Sequence, residues 1–94
     1  MDVRFDWDDV KAAANLAKHG VSFDEASTVF GDPHTVTIFD DRHSDAEDRF
    51  IDIGMAATGR ILVVMYTETT ERIRIISSRK AMPTERRQYE RQDT

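Results

Sequence analysis

The residues best suited to chemistry in this 94-residue chain are basic, and most lie in its second half. Arg72, Arg74, Arg79, Lys80, Arg86, Arg87 and Arg91 fall within one short stretch. A guanidinium presents a planar fork that suits phosphate and carboxylate alike. The stretch therefore predicts an anionic ligand, either RNA or an acidic partner protein. Arg72 and Arg74 alternate with Ile73 and Ile75, which puts the two arginines on one face of a strand. Arg79 follows at the strand's expected end, where the rim of a sheet is open to substrate. Arg86 and Tyr89 are three apart and share a helix face. A basic strip beside an aromatic ring can hold phosphate while the ring stacks on a base. The same residues also describe an ordinary charged surface laced with Glu85 and Glu90.

A second candidate is Lys18-His19-Gly20, with a phosphate clamp beside a group that carries a proton near neutral pH. Positive charge in the last turn of a helix also obeys the helix dipole, with no function needed. A third is the run from Asp40 to Asp48, whose carboxylates and His43 could hold a divalent ion. It lacks the central glycine and closing glutamate of a calcium loop, so a solvated loop is expected and no metal. There is no Ser/His/Asp order, Gly-rich phosphate loop or His-Glu-x-x-His. With no cysteine, thiolate zinc sites, disulfides and a cysteine nucleophile are all excluded.

The net charge of −5 conceals an asymmetry. Residues 1–48 carry 4 basic and 12 acidic side chains, and residues 49–94 carry 9 basic and 6 acidic. Local positive potential matters more to a nucleic-acid ligand than the total. No apolar run approaches the roughly 20 residues of a membrane span. The start, MDVRFDWDD, lacks the basic-then-apolar pattern of a secretory signal, so a cytoplasmic protein is expected.

These residues need elements to position them. The length suits a single domain spanning residues 1–94. Val3, Phe5 and Trp7 alternate, which predicts a short strand or arm. Asp8 or Asp9 caps a helix whose buried face is expected to be Val10, Ala13, Ala14 and Ala17, with Gly20 ending it. Ser22 and Glu25 form a capping box for a second helix that buries Phe23, Ala26, Val29 and Phe30. Strands are predicted at residues 35–39, 49–55, 60–67 and 72–77, joined by short links that imply antiparallel pairing. Pro83 opens a last helix. The expected class is α+β: a helical hairpin on an antiparallel sheet of about four strands plus a C-terminal helix, all helices against one face.

The pattern Phe5-x-Trp7-Asp8-x-x-Lys11-x-x-x-Asn15-x-x-Lys18-His19-Gly20-Val21-x-Phe23-x-Glu25-Ala26 resembles the N-terminal signature of the BrnT toxin family. Val29-Phe30-x-Asp32-Pro33, Glu47-x-Arg49 and Ile53-Gly54 continue the likeness. Val63-Val64-x-Tyr66-Thr67, Arg72-Ile73-Arg74-Ile75-Ile76-Ser77-x-Arg79-x-Ala81 and Glu85-Arg86-x-x-Tyr89-Glu90 close it. Ser78 stands where alanine is common and Met65 where an aliphatic residue is common. The resemblance implies a RelE-like fold and a bacterial type II toxin, a ribonuclease that halts translation. It implies a BrnA-like antitoxin that wraps the toxin, often as a heterotetramer, and that alone meets DNA. No cofactor is implied. Nucleases of this kind use the substrate's 2′-hydroxyl as nucleophile and need no metal. At matched positions, Lys18 and His19 would clamp phosphate or move a proton. Arg49, Arg79 and Arg86 would stabilise charge, Arg72 and Arg74 would bind RNA, and Tyr89 would stack on a base. Structural roles compete: Lys18 or Arg49 could pair with Asp8, Glu25 or Glu47, and Arg79 with Glu85. Two other classes stay open, a catalytically inactive module that sequesters antitoxin, and a nucleic-acid binder without cleavage. The net negative charge weighs against the latter.

Overall fold

Short links between consecutive strands force neighbours to run antiparallel, and most of the sheet is built that way. The computed structural model describes residues 4–43 and 47–92. In chain order its elements are β1 (Arg4–Asp6), α1 (Asp9–His19), α2 (Phe23–Ser27), which continues into a 3₁₀ turn (Thr28–Gly31), β2 (Val36–Phe39), β3 (Arg49–Met55), β4 (Ile61–Glu68), β5 (Arg72–Lys80) and α3 (Pro83–Arg91). The strands form one sheet in the order β1-β5-β4-β3-β2. β2 to β5 pair antiparallel, whereas β1 pairs parallel with β5, Arg4 opposite Arg72. The expected four-stranded antiparallel sheet is thus a five-stranded mixed one. A three-residue alternation carries no signal of a partner that lies at the far end of the sequence.

Asp8 caps α1, its carboxylate accepting from the Val10 N–H at 2.8 Å. Gly20 ends the helix at φ 69°, its N–H donating to the Leu16 carbonyl. The buried face of α1 differs from the expected one. Val10 is 77% exposed, and Ala13, Ala14 and Ala17 are exposed too, while Ala12 is half-buried and Asn15 buried. The cause is a gap in the sheet edge. β1 covers β5 only from Arg72 to Arg74. Further along, Ser78 points its backbone N–H and carbonyl away from β4 with no strand beside it. The Asn15 side-chain amide takes that place: Nδ2 donates to the Ser78 carbonyl at 2.9 Å and Oδ1 accepts its N–H at 3.1 Å. Nδ2 also donates to the Val21 carbonyl. Buried backbone groups must be paired, so α1 turns its asparagine inward rather than its alanines.

α2 starts as expected, the Ser22 hydroxyl accepting from the Glu25 N–H at 3.0 Å. It buries Phe23, Ala26 and then Val29 against Leu62, Val64, Tyr66, Ile73 and Ile75 of the sheet. Glu25 is clamped by Arg60, whose guanidinium also donates to the Gly20 carbonyl. That ion pair locks the α1–α2 corner to the start of β4. α3 does not join these helices. Alternation along β4 turns Val63 away from Val64, and Val63 packs with Ile53 and Tyr89 on the other face. The expectation of all helices on one face is therefore corrected: that second apolar patch also needs cover, and α3 supplies it.

Candidate functional site

α3 covers only half of its face. It lies over Ile53 and Val63. Towards the other end of the sheet, the register sets Arg49 of β3, Thr67 of β4 and Arg74 of β5 in one transverse row, continued by Asp6 of β1. Adjacent strands are about 4.8 Å apart, so Arg49 and Arg74 leave backbones roughly 10 Å apart and flank Thr67. The Arg74 guanidinium donates to the Asp6 carboxylate at 2.7 Å, and Arg72 lies 4.0 Å from the same oxygen. Asp6, Glu47, Thr67, Thr69, Arg72 and Arg74 line a hollow of about 190 Å³.

Arg79 faces the same way. Met65 pairs with Ser77 and Tyr66 with Ile75, which leaves Ile76 as an extra residue in β5. Without this bulge, strict alternation would send Arg74 and Arg79 to opposite faces. β5 runs on to Lys80, so Arg79 lies inside the strand and not at its end as expected. It is not a bare rim residue either. Its two terminal nitrogens donate to the two oxygens of Glu85, each at 2.8 Å. Glu85 also accepts from the Met82 N–H at 2.7 Å and so closes the first turn of α3. The Arg79 guanidinium holds the Glu85 carboxyl below the usual carboxylate range, and Glu85 in turn raises Arg79.

The other candidates are not gathered here. Lys18 and His19 end α1, a helix that packs on the opposite side of the sheet. Their neighbour Gly20 is tied to Arg60. Arg86 lies on α3 and lines a separate cleft of about 430 Å³ with Arg60, Ile61, Lys80 and Glu90. Tyr89 does not offer the stacking surface expected of it. Its ring is 8% exposed within the Ile53–Val63 cluster, and its hydroxyl donates to Asp32 at 2.6 Å. Burial alone would raise the Asp32 carboxyl, but the Met55 and His34 N–H groups and the Tyr89 hydroxyl outweigh it and hold it low. Glu25, one expected partner of Lys18 or Arg49, belongs to Arg60 instead.

Sequence patterns marked neither Asp6 nor Thr67 as a site residue, and Glu47 only as an expected partner of Lys18 or Arg49. Asp6 and Thr67 meet through the pairing of β1, β5 and β4, which no local spacing encodes, whereas Glu47 leads into β3 two residues before Arg49. Among the described residues no cluster of three or more histidines and carboxylates is arranged to hold a metal. Ser44, Asp45 and Ala46 of the acidic loop lie outside the described residues. No described helix is long and apolar enough to cross a membrane.

The fold is of the α+β class, with two helices on one face of a five-stranded mixed sheet and an arginine-lined second face that α3 covers in part. The particular family follows from the sequence. Residues 7–85 match the model of the ribonuclease toxin BrnT of type II toxin–antitoxin systems, and the chain belongs to that family. The crystal structure of the Brucella abortus ribonuclease toxin BrnT shares the fold, with a TM-score of 0.63 at 23% identity over 86% of this chain and 99% of that one. No curated protein sequence matches.

Proposed function

We propose that this chain is a metal-independent endoribonuclease of the cytoplasm that arrests translation on the half-open sheet face. A BrnA-like antitoxin neutralises it, most simply in a heterotetramer through which DNA is met indirectly. One observation carries the reading: Arg49 and Arg74 flank Thr67 in a single row, with Arg72 and Arg79 on the same face. Such a face can hold an RNA backbone and stabilise the charge that develops on a phosphate under attack.

The chemistry is internal transesterification. The 2′-hydroxyl loses its proton and its oxygen bonds to phosphorus. The bond from phosphorus to the 5′ oxygen then breaks, and that oxygen takes a proton from solvent. Arg49 and Arg74, on either side of Thr67, stabilise the pentacovalent phosphate, while Arg72 and, further along the sheet, Arg79 seat the flanking backbone. Glu47 lines the same hollow and is the carboxylate we assign to accept the 2′ proton. Lys18 and His19, behind the sheet, do not reach that phosphate in this reading. Arg86 guides RNA only at the far side of α3.

Purified protein incubated with RNA in EDTA is expected to yield 2′,3′-cyclic or 3′-phosphate ends. Abolition by EDTA with rescue by Mg²⁺ rejects the mechanism. The ion pairs Arg74–Asp6 and Arg79–Glu85 favour one rival, a module with its arginines already neutralised that only binds antitoxin. RNA left intact under all conditions selects it.

A further inference from the structure

The two edges of the sheet are built differently. β1 is three residues long and presents Arg4 and Asp6, the short, charged form that blocks further strand pairing. β2, at the other edge, reads Val36-Thr37-Ile38-Phe39, with neither charge nor proline. Its side chains are open on both faces: Ile38 is 37% exposed and Phe39 47% exposed. Phe39 extends an aromatic ledge, its ring 5.6 Å from Phe50, which stacks on Tyr66 at 5.7 Å. The backbone is open as well. The Asp40 N–H donates to the Arg49 carbonyl, so bonded pairs alternate through Ile38–Ile51 and Val36–Ile53. Thr37 and Phe39 therefore direct their N–H and carbonyl groups away from β3. The upper end of this hairpin is acidic, with Asp40, Asp41, Glu47 and Asp48 against Arg42.

We propose that β2 is the docking edge for an extended segment of the partner antitoxin, which adds a sixth strand by main-chain hydrogen bonds. Its apolar residues seat beside Ile38 on one face and on the Phe39–Phe50 ledge on the other. Lysines or arginines at one end meet Asp40, Asp41 and Asp48. Strand addition of this kind draws affinity from the backbone and specificity from alternate side chains, and the charge sets which sequences fit. The inference rests on the antitoxin reading above, but it places the partner on the edge strand β2, one strand outside Arg49 of the arginine row. Inhibition then comes from the rest of the antitoxin, and this strand acts as the anchor.

The test uses the whole chain labelled with ¹⁵N and two blocked peptides of alternating valine and threonine, one flanked by lysines and one by glutamates. The lysine peptide is expected to shift and protect the Thr37 and Phe39 amides and to bind at least about tenfold tighter than the glutamate peptide. Ile38→Lys and Phe39→Lys, on opposite faces of β2, are each expected to abolish binding while retaining the native spectrum. Binding at β1 or at the arginine face, equal affinity for both peptides, or no binding by either overturns the proposal. Self-association through β2 in the absence of peptide also overturns it, in favour of a second copy of the chain. RNA cleavage measured on the same samples is a separate readout: its absence sinks the ribonuclease reading without touching the peptide result.

Discussion

Arg74 and Arg79 stand five positions apart in β5 yet project from the same side of the sheet, because Ile76 is inserted between the Tyr66–Ile75 and Met65–Ser77 pairs. An odd spacing in a regular strand would oppose them. The bulge thus turns two separate arginines into one surface, running from the Arg49–Thr67–Arg74 row to the edge of α3.

The Arg79–Glu85 pair bears structural weight. Both side chains are half-buried, and the bidentate geometry is the stronger kind of ion pair. Arg79→Ala leaves Glu85 half-buried without its cation. We expect a loss of about 1–3 kcal/mol in urea unfolding, with a native fold retained. Arg79→Lys keeps the charge but not the fork, and is expected to fall between the two. An unchanged midpoint for Arg79→Ala would show that the pair contributes nothing.

Asn15 is the sheet's substitute edge strand. Asn15→Leu fills the space but leaves the Ser78 N–H, the Ser78 carbonyl and the Val21 carbonyl without the amide that serves them. The expected cost is about 3 kcal/mol or more, since unsatisfied buried groups each cost about 1–3 kcal/mol. Faster hydrogen exchange at the Ser78 amide is the specific signature, and an amide as protected as in the parent chain would contradict this role.

Asp52 gives stability an unusual dependence on pH. Burial pushes its carboxyl up, against hydrogen bonds from Thr37 and Tyr66, whose hydroxyl donates to it at 2.8 Å. Burial and this carboxylate likewise raise the Tyr66 hydroxyl. A carboxyl with a raised folded pKa favours folding fully below its unfolded value of about 3.8. It loses that contribution as pH rises through the folded value. Glu25 and Glu85, lowered by Arg60 and Arg79, work in the opposite sense and fail as pH falls below about 4.5. Asp52→Asn keeps an acceptor for Tyr66 and removes the charge. Its melting temperature is expected to gain on the parent chain as pH rises from about 3.8. A difference that stays constant as pH rises from there would contradict the assignment.

Local signals were legible, and remote pairings were not. Caps at Asp8 and Ser22, the stop at Gly20, the span of β3 and the burial of Phe23, Ala26 and Val29 all follow from spacing within a few residues. The parallel edge strand, the bulge at Ile76 and the side to which α3 returns depend on contacts between distant segments, which periodicity does not encode. Asn15 misled because an amide in a run of alanines looks solvent-facing until an unpaired strand edge needs it. Tyr89 misled because three-residue spacing links it to Arg86 but does not say which of the two the core takes. The Ile53-Gly54 pair of the family pattern has a steric reason: a Cβ at Gly54 would lie 2.6 Å from the Thr35 hydroxyl and 2.7 Å from a Val29 methyl.

The central claim is that RNA is cut on the α3 side of the sheet and not at the end of α1. The direct measurement is the rate of RNA cleavage by two double variants, Arg49→Ala/Arg74→Ala on the open face and Lys18→Ala/His19→Ala behind the sheet, each first shown to melt cooperatively. Loss of one stabilising donor typically costs about 10²–10³ in rate. We expect a loss of at least that size for the first variant and a rate within about threefold of the parent chain for the second. Cleavage that survives in the first variant and disappears in the second would contradict it and move the active site to the other side of the sheet.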